Sequence, residues 1–284
     1  PVSREKTRTN RVCGGASAAV LKGLVYAAAT LTFAVLLFLI GYILVSGLPH
    51  LKPSLFSLHY TSENVSMLPA IVTTVEMTVL ALLISVPLGL FTAVYLNEYA
   101  KRGNKLVSII RVTTETLSGI PSIVYGLFGM LFFVTALKLK LSLISGALTL
   151  SIMVLPTILR TTEEALLAVP ESYREGSFGL GAGRLRTVWK IVLPSALPGI
   201  FAGVILAMGR IVGESAALIY TAGTVAKVPD SLFSSTRTLA VHMYALSSEG
   251  LYIDQTYATA VVLLLIVVGI NALSSRLAKS ITKG

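Results

Sequence analysis

Residues 174–194 read REGSFGLGAGRLRTVWKIVLP, and the interpretation of the whole chain starts from this stretch. It carries five charged side chains and closely spaced glycines, yet long apolar runs lie on either side of it. Just before it, Pro170 can begin a helix at its first turn, and the glycines allow the backbone to turn sharply. The pattern predicts a short polar helix and a tight turn, with an exposed face formed by Glu171, Tyr173, Arg174 and Glu175.

The composition of the chain indicates a membrane protein. Of the 284 residues, 54% are hydrophobic and only 13% are charged, whereas soluble domains carry about 25% charged residues. In so apolar a chain, the net charge of +10 indicates cationic cytoplasmic loops rather than binding to nucleic acid. The single cysteine, Cys13, excludes a disulfide framework and a cysteine-based metal cluster.

Six apolar runs are long enough to cross a bilayer, which takes about 20 residues of helix. The third run contains Gly119 and Pro121, so a kink, tilt or break is expected there. The predicted fold is an all-α integral membrane protein with a basic tail, residues 1–22, and one membrane domain, residues 23–284. The predicted spans are 23–48, 70–96, 106–137, 141–160, 195–219 and 257–276, with a cytoplasmic loop at 161–194.

Lys and Arg residues are distributed unevenly between the segments that join the spans. Most of them fall on the side that holds the N-terminal tail and the opening stretch. Because cytoplasmic loops are enriched in Lys and Arg, both ends of the chain are predicted to be cytoplasmic. The basic tail is expected to be attracted to anionic membrane lipid.

The spacing within the opening stretch resembles the cytoplasmic signature of permeases in binding-protein-dependent ABC importers. That signature is Glu-Ala-Ala, three residues, Gly, nine residues, Ile, one residue and Leu-Pro. The resemblance implies the type I, MetI-like fold of six transmembrane helices in a prokaryotic inner membrane. It also implies a coupling helix that docks in a cleft of a cytoplasmic ATPase subunit. Every spacing is matched, with Gly-Ser in place of the two alanines, by Glu175, Gly176, Ser177, Gly181, Ile191, Leu193 and Pro194.

The source of energy is expected to lie on another chain. The sequence contains no Gly-Lys pair, which excludes a G-x-x-x-x-G-K-[ST] phosphate-binding loop. Under the resemblance, the chain is a transport subunit without enzymatic activity or a metal site. It is expected to bind no cofactor, because ATP and Mg²⁺ belong to the partner ATPase subunits.

Ionisable residues within or at the ends of the predicted spans are candidates for a solute path. Each costs on the order of 2.5–3.5 kcal/mol at the bilayer centre, so each is expected to serve a function. An arginine that lines a water-filled path can bind an oxyanion through its planar fork of donors. The candidates are Arg160, Arg210 and Glu214, together with Glu76, Arg111 and Glu115, which are considered for a gate as well as for a path.

The spacing of these residues leaves a second interpretation open. Arg210 and Glu214 are four residues apart, as are Arg111 and Glu115, so each pair can share a helix face and form an ion pair. Arg160 can equally be an anchor at the cytoplasmic end of the fourth span. From the residues alone, an anion path and structural ion pairs are both open.

Two further runs, SGIPSIVYGLFG at 118–129 and GRIVGESAAL at 209–218, look like those of the phosphate-specific PstA permeases. The resemblance covers the chain from the first span onward, and it implies that Arg160 and Arg210, with Glu214 in the same motif, line a path for phosphate. It also implies alternating access and three kinds of partner. These are a homologous second permease (PstC-like), two ATPase subunits (PstB-like) and an extracytoplasmic phosphate-binding protein (PstS-like).

Other functions are open at this point. An importer of another oxyanion, such as sulfate, molybdate or phosphonate, shares the coupling signature and is distinguished only by the two further runs. A secondary transporter or a channel needs inverted repeats or its own gating machinery, and the sequence shows no repeat. A membrane scaffold or sensor does not use the arginines for uptake.

Overall fold

The computed structural model describes residues 15–101 and 103–283. Helices and the turns between them account for this part of the chain, and no strand occurs within it. The chain forms two compact units, the first ending at Ser46 and the second running from Gly47 to Gly284. The predicted all-α architecture is confirmed. Its physical basis is that helices satisfy their own backbone polar groups where lipid supplies no partners.

The first helix, α1 (Gly15–Gly47), makes up the described part of the first unit. It is apolar around nearly its whole circumference, and residues 18–40 are exposed, as expected for a helix surrounded by lipid. The helix begins inside the segment predicted as a basic tail, residues 1–22. Residues 1–14 of that predicted tail lie outside the described residues.

The second unit contains ten further helices within its described residues. Wider turns of π-type extend α2 over Tyr95–Tyr99, extend α4 over Met130–Ala136 and join α7 to α8 over Val188–Val192. Short 3-10 turns cover Leu48–His50 and Pro53–Phe56. The helices are α2 (Leu68–Val94), α3 (Lys105–Ser118), α4 (Ser122–Gly129), α5 (Leu143–Leu167), α6 (Glu171–Gly179), α7 (Arg184–Thr187), α8 (Leu193–Val212), α9 (Ala216–Thr221), α10 (Leu239–Glu249) and α11 (Ile253–Lys283).

Five stretches of helix in the described part are long and apolar enough to cross a membrane. The pair α3–α4 adds a sixth if the two helices together count as one span. This number agrees with the six predicted spans. The five stretches are Ala18–His50, Leu68–Tyr99, Leu143–Leu167, Arg184–Val212 and Ile253–Leu273.

The predicted third span, 106–137, is broken at the point where the sequence places Gly119 and Pro121. The chain bends by 106° between α3 and α4. Pro121 has no N–H to donate and disfavours helical backbone at the preceding residue, so the helix stops before it. The Tyr125 hydroxyl donates a hydrogen bond of 2.7 Å to the Leu117 carbonyl oxygen, which links the two helices across the break.

Helix α5 lies at the centre of the second unit and packs against both α2 and α8. Small residues allow these helices to approach closely. A Cβ atom at Gly89 of α2 would lie 2.8 Å from Ile158 of α5, and one at Gly203 of α8 would overlap Thr161 of α5. This packing fixes the C-terminal half of α5, which carries Arg160.

Two of the spanning helices extend into the predicted cytoplasmic loop, 161–194. Helix α5 continues to Leu167, past the predicted end of the fourth span, and the helical stretch that includes α8 begins at Arg184, before the predicted span 195–219. Charged residues suggested earlier helix ends, but a helix can continue once it has left the hydrocarbon region, since its charged side chains are then in water. The segment between these helical stretches is 168–183, shorter than the predicted loop 161–194.

Candidate functional site

The predicted coupling stretch folds as α6 followed by a tight turn. Backbone hydrogen bonds of 3.1 Å close the turn, from the Leu180 N–H to the Gly176 oxygen and from the Ala182 N–H to the Ser177 oxygen. Gly181 has a φ angle of +81°, a conformation in which other residues are strained. The short polar helix and the sharp turn therefore agree with the prediction from sequence.

Arg174 connects α6 to two spanning helices. Its Nη2 atom lies 2.8 Å from Oε1 of Glu98, and the two side chains are only 12% and 9% exposed. The same guanidinium donates hydrogen bonds of 3.0 Å to the carbonyl oxygens of Leu166 and Val169, at and just beyond the C-terminal end of α5. The hydrogen bond to Glu98 is the main cause that raises the pKa of Arg174. The prediction of an exposed face is wrong for Arg174, since its side chain is nearly buried.

A second polar contact connects α6 to α7. The hydroxyl oxygens of Ser177 and Thr187 lie 2.8 Å apart, and both residues are buried. The residues of the predicted signature therefore divide between two places. Glu175, Gly176 and Gly181 are exposed on α6 and its turn, while Ile191 and Leu193 are half-buried, and Pro194 is exposed, where α8 begins.

Apolar side chains are exposed on this otherwise polar segment. Leu180, in the turn, is 92% exposed, and Tyr173 and Phe178 of α6 are about half exposed. An exposed group of apolar side chains surrounded by polar residues is typical of a surface that binds another protein. Together, α6 and its turn form a surface that is fixed to the spanning helices and has the character of a docking site, and we refer to it as the docking surface.

Three of the six ionisable candidates line one cavity of about 210 Å³: Arg111, Glu115 and Arg160. Arg111 of α3 pairs with Glu163 of α5, with 3.3 Å between Nη2 and Oε1. Arg160 pairs with Glu164 over 3.1 Å, and both of these side chains are about two-thirds exposed. An exposed pair of this kind contributes less than about 1 kcal/mol, so the Arg160 guanidinium is available to an anion in the cavity.

The structure does not place Arg210 and Glu214 on one helix. Arg210 is in the last turn of α8, which ends at Val212, and no ion pair within the described part of the chain includes it. Glu214 is buried, and its Oε1 accepts a hydrogen bond of 3.1 Å from the Ala217 N–H. Glu214 therefore stabilises the N-terminus of α9, where free N–H groups favour a negative charge.

Glu76 lies on α2 and is not among the residues that line the cavity. Its Oε2 atom is buried without a hydrogen-bond partner among the described residues. Within the same residues, no group of three or more His, Cys, Asp or Glu side chains is arranged to hold a metal ion.

Named relatives of this chain are transport permeases. It is 40% identical over 188 residues to the probable ABC transporter permease protein YqgI of Bacillus subtilis (strain 168), which covers 62% of this chain and 64% of the relative. It is 34% identical over 199 residues to the phosphate transport system permease protein PstA of Mycobacterium leprae (strain TN). This match covers 68% of this chain and 64% of that relative. A match to the phosphate transport system permease protein PstA homolog of Mycoplasma pneumoniae (strain ATCC 29342 / M129 / Subtype 1) has 35% identity over 216 residues. It covers 73% of this chain and 33% of that relative. The chain spans between a third and just under two thirds of the length of these relatives.

Solved structures show the same fold. A crystal structure of a bacterial ABC transporter involved in the import of the acidic polysaccharide alginate matches with a TM-score of 0.64 at 18% identity, over 92% of this chain and 98% of that chain. The MetNI methionine ABC transporter, in inward facing conformations, matches with a TM-score of 0.57 at 21% identity, over 75% and 93%. These identities are low, so the likeness concerns the fold alone.

The family model described as the binding-protein-dependent transport system inner membrane component matches residues 85–284. This range begins within α2 and includes the docking surface on α6 and the long helices that follow it. It covers more than half of the chain. The chain therefore belongs to the family of inner membrane components of binding-protein-dependent transport systems.

Proposed function

We propose that this chain is the permease subunit of an ATP-driven phosphate importer and forms half of its translocation path. The observation that carries the proposal is the docking surface. Leu180 and its apolar neighbours are exposed, while Arg174 fastens the same helix to Glu98 beyond α2 and to the end of α5. A surface that is attached in this way transmits a displacement directly to the spanning helices.

The proposed partners supply the functions that this chain lacks. A homologous second permease (PstC-like) forms the other half of the path. Two ATPase subunits (PstB-like) dock on the coupling helices and bind ATP and Mg²⁺, so this chain itself has no enzymatic activity. An extracytoplasmic phosphate-binding protein (PstS-like) delivers the cargo. In this arrangement α6 and both ends of the chain are cytoplasmic, in the inner membrane of a prokaryote.

The mechanism we propose is alternating access. ATP binding draws the two ATPase subunits together and moves α6. Because Arg174 joins α6 to the end of α5, the movement reaches the helix that carries Arg160. Hydrolysis of ATP then returns the helices to their starting position. Binding of phosphate along the path is weak, since tight binding would slow its release.

Phosphate is favoured as the cargo by two observations. Several relatives are named phosphate transport permeases, and two arginines are available to bind an oxyanion. Arg160 lines the cavity of about 210 Å³ in an exposed ion pair, and Arg210 has no ion-pair partner among the described residues. In the proposed path, Arg160 and Arg210 contact the anion. Arg111, Glu115 and Glu163 of the same cavity, with Glu76, form gate contacts, and Glu214 positions α9.

The main alternative is a permease for another oxyanion, such as sulfate, molybdate or phosphonate. The docking surface is common to both functions, so only the substrate distinguishes them. A secondary transporter or a channel is less well supported, because the chain belongs to a family of binding-protein-dependent transport components.

The experiment is reconstitution of the complete transporter, with its ATPases and binding protein, in proteoliposomes. We expect ATP-dependent uptake of radiolabelled phosphate that unlabelled phosphate inhibits and an equal concentration of sulfate does not. Inhibition by sulfate at the same concentration would favour the alternative. Uptake that continues without the ATPase subunits would contradict the proposal.

A further inference from the structure

A cluster of buried polar side chains lies at the end of α2 opposite to the docking surface. Near the start of α2, the Thr73 and Thr236 hydroxyl oxygens share a hydrogen bond of 2.8 Å. The Thr74 hydroxyl oxygen accepts one of 2.8 Å from the Leu239 N–H. Glu98, which contacts the docking surface, follows 24 residues after Thr74, or about 36 Å along a helix. If α6 is cytoplasmic, the segment at 236–239 is therefore on the extracytoplasmic side.

Three side chains within residues 237–242 are buried and have polar atoms without hydrogen-bond partners among the described residues. Arg237 is 6% exposed, Thr238 is 2% exposed and His242 is fully buried. The unpartnered atoms are Nε and Nη2 of Arg237, Oγ1 of Thr238 and both ring nitrogens of His242. We refer to these three residues as the outer cluster. Buried polar groups are nearly always hydrogen-bonded, so a concentration of this kind needs an explanation.

The charge of Arg237 has no counter-ion within the described part of the chain. None of the ion pairs there includes Arg237. The ring of Tyr60 lies against the guanidinium, with 4.7 Å from Cζ to the ring centroid, but a ring face is a weak acceptor and does not replace oxygen acceptors for both Nε–H and Nη2–H. These two N–H groups point in the same direction and form the edge that binds two oxygens of an oxyanion or a carboxylate.

Thr238 and His242 limit which chemical groups a ligand of the outer cluster can carry. Burial and the neighbouring Arg237 lower the pKa of His242 to about 3, so its imidazole is neutral at physiological pH. A neutral imidazole has one donor and one acceptor nitrogen, and the Thr238 hydroxyl can act as either. A ligand that satisfies the whole cluster therefore carries several acceptor oxygens and at least one O–H donor. Hydrogen phosphate has both, whereas sulfate at neutral pH has no donor.

Tyr60 lies against two of the three residues of the outer cluster. Its ring contacts the Arg237 guanidinium and also lies edge-on to the His242 ring, with 6.2 Å between the centroids. Tyr60 itself is half-buried, in the segment that connects the first and second spans. Because the unpartnered atoms are closed off in this conformation, a ligand reaches them when Tyr60 moves away.

We propose that Arg237, Thr238 and His242 form a binding site for a protonated oxyanion, hydrogen phosphate, on the extracytoplasmic side of the chain, with Tyr60 as its cover. The identity of the anion rests on the proposed function. The Arg237 fork binds two phosphate oxygens, and the P–O–H group donates to the acceptor nitrogen of His242. The site precedes the cavity at Arg160 on the way in and selects against anions without a proton.

The test is equilibrium binding of radiolabelled phosphate to the purified complete transporter in lipid nanodiscs, without the binding protein. Arg237→Lys keeps the charge but loses the fork, and we expect phosphate to bind about tenfold more weakly or worse. Lys227→Ala is the matched control, because Lys227 is an exposed cation on the same connecting segment, and we expect unchanged binding. Tyr60→Ala removes the cover and should tighten apparent binding.

His242→Leu tests the selectivity separately. It removes the acceptor nitrogen, so we expect the preference for phosphate over sulfate, measured by competition, to fall about tenfold. Unchanged phosphate binding in both Arg237→Lys and Arg237→Met would overturn the site, even if the wild-type transporter imports phosphate. Arg237-dependent phosphate binding in a transporter that imports no phosphate would instead overturn the proposed function and leave the site standing.

Discussion

Arg174 shows at the scale of one residue how the docking surface is held. Its guanidinium contacts Glu98, the carbonyl oxygens of Leu166 and Val169 at and just beyond the end of α5, and the exposed Glu171 of its own helix. These acceptors come from three separate segments, and a shorter or uncharged side chain cannot reach them together. Lysine retains the charge but not the planar set of donors.

Arg174→Met is expected to destabilise the protein and to uncouple transport. The substitution leaves Glu98 nearly buried without its partner, which costs about 3–5 kcal/mol when a buried pair is broken from one side. The measurement is the free energy of unfolding in detergent, together with phosphate uptake per ATP hydrolysed. Arg186→Met is the control, since Arg186 is exposed on α7, and it should change neither value. Equal stability of the two variants would show that Arg174 does not anchor α6.

Arg160 and Glu164 provide a matched test of the proposed path. Both side chains of this ion pair are about two-thirds exposed. Neither Arg160→Ala nor Glu164→Ala should therefore change the free energy of unfolding by more than about 1 kcal/mol. If the cation contacts phosphate, Arg160→Ala lowers phosphate uptake at least about tenfold, because a charged hydrogen bond is lost, and Glu164→Ala does not. Equal effects of the two substitutions on uptake would reduce Arg160 to a structural role.

His242 makes stability depend on pH. Its pKa is about 3 in the folded protein, well below the ordinary histidine value of 6.5. Between these values the unfolded chain binds a proton that the folded chain does not, so stability is complete above pH 6.5 and falls as the pH is lowered towards 3. From pH 6.5 to 5 the loss is about 2 kcal/mol. Unfolding measured in phosphate-free buffer should show this loss in the wild type and in His59→Gln, a control at an exposed histidine, but not in His242→Gln. The same slope in all three proteins would refute the assignment.

At the scale of an element, two of the glycines in α6 and its turn, Gly176 and Gly181, differ in one property. A Cβ atom at Gly176 or at Gly181 would meet no other atom within 4 Å. Gly176 lies inside α6 with ordinary helical backbone, whereas Gly181 has a φ of +81°. Any difference between alanine substitutions at these two positions therefore reports on the backbone alone.

Gly176→Ala should stabilise the protein by up to about 1 kcal/mol, because alanine is the better helix former. Gly181→Ala should destabilise it by about 1 kcal/mol, because alanine is strained at positive φ. Phosphate uptake should be retained in Gly176→Ala. Gly181→Asp adds a charge to the same strained position and should uncouple ATP hydrolysis from uptake. Both quantities are measured on the reconstituted transporter, and normal coupling in Gly181→Asp would place the ATPase contact elsewhere.

Several elements could be predicted from the sequence, because local chemistry determines them. Gly119 and Pro121 predicted the break between α3 and α4, and Pro170 with the glycines predicted α6 and its turn. The start of the helix that leads into α8 could not be predicted, since its first residues, such as Arg184, are charged. The wider turn over Val188–Val192 then carries this helix on into α8 without a break.

The site was only partly predictable, for a different reason. The sequence identified cations that can bind an anion, but it offered partners only at a spacing of four residues. Arg111 pairs with Glu163, which is 52 residues away, and Arg174 pairs with Glu98, which is 76 residues away. Such contacts depend on how the helices pack. Arg237 likewise contacts Tyr60, on a distant segment of the chain.

At the scale of the whole molecule, the proposed path depends on residues from different helices. Arg210 lies in the last turn of α8, whereas Glu214 accepts a hydrogen bond at the N-terminus of α9, so the two do not form an ion pair. Exchanging their charges, Arg210→Glu with Glu214→Arg, should therefore not rescue phosphate uptake lost in either single variant. The control for assembly is co-purification of the partner subunits, which should be normal in Arg210→Ala. Recovery of uptake in the double variant would show that the two residues form a pair in the working transporter.

Helix α3 has a further consequence for how this chain works. No residue of α3 is buried, and the sharp bend at Pro121 separates it from α4. Its polar contacts to other helices include the Arg111–Glu163 pair and the Tyr125 hydrogen bond to Leu117. With Leu117 only partly buried against the core, α3 can tilt about the bend at Pro121 with limited repacking of the interior. In the proposed mechanism, such a tilt opens the path beside α3, and weakening the Arg111–Glu163 contact should make the tilt more frequent.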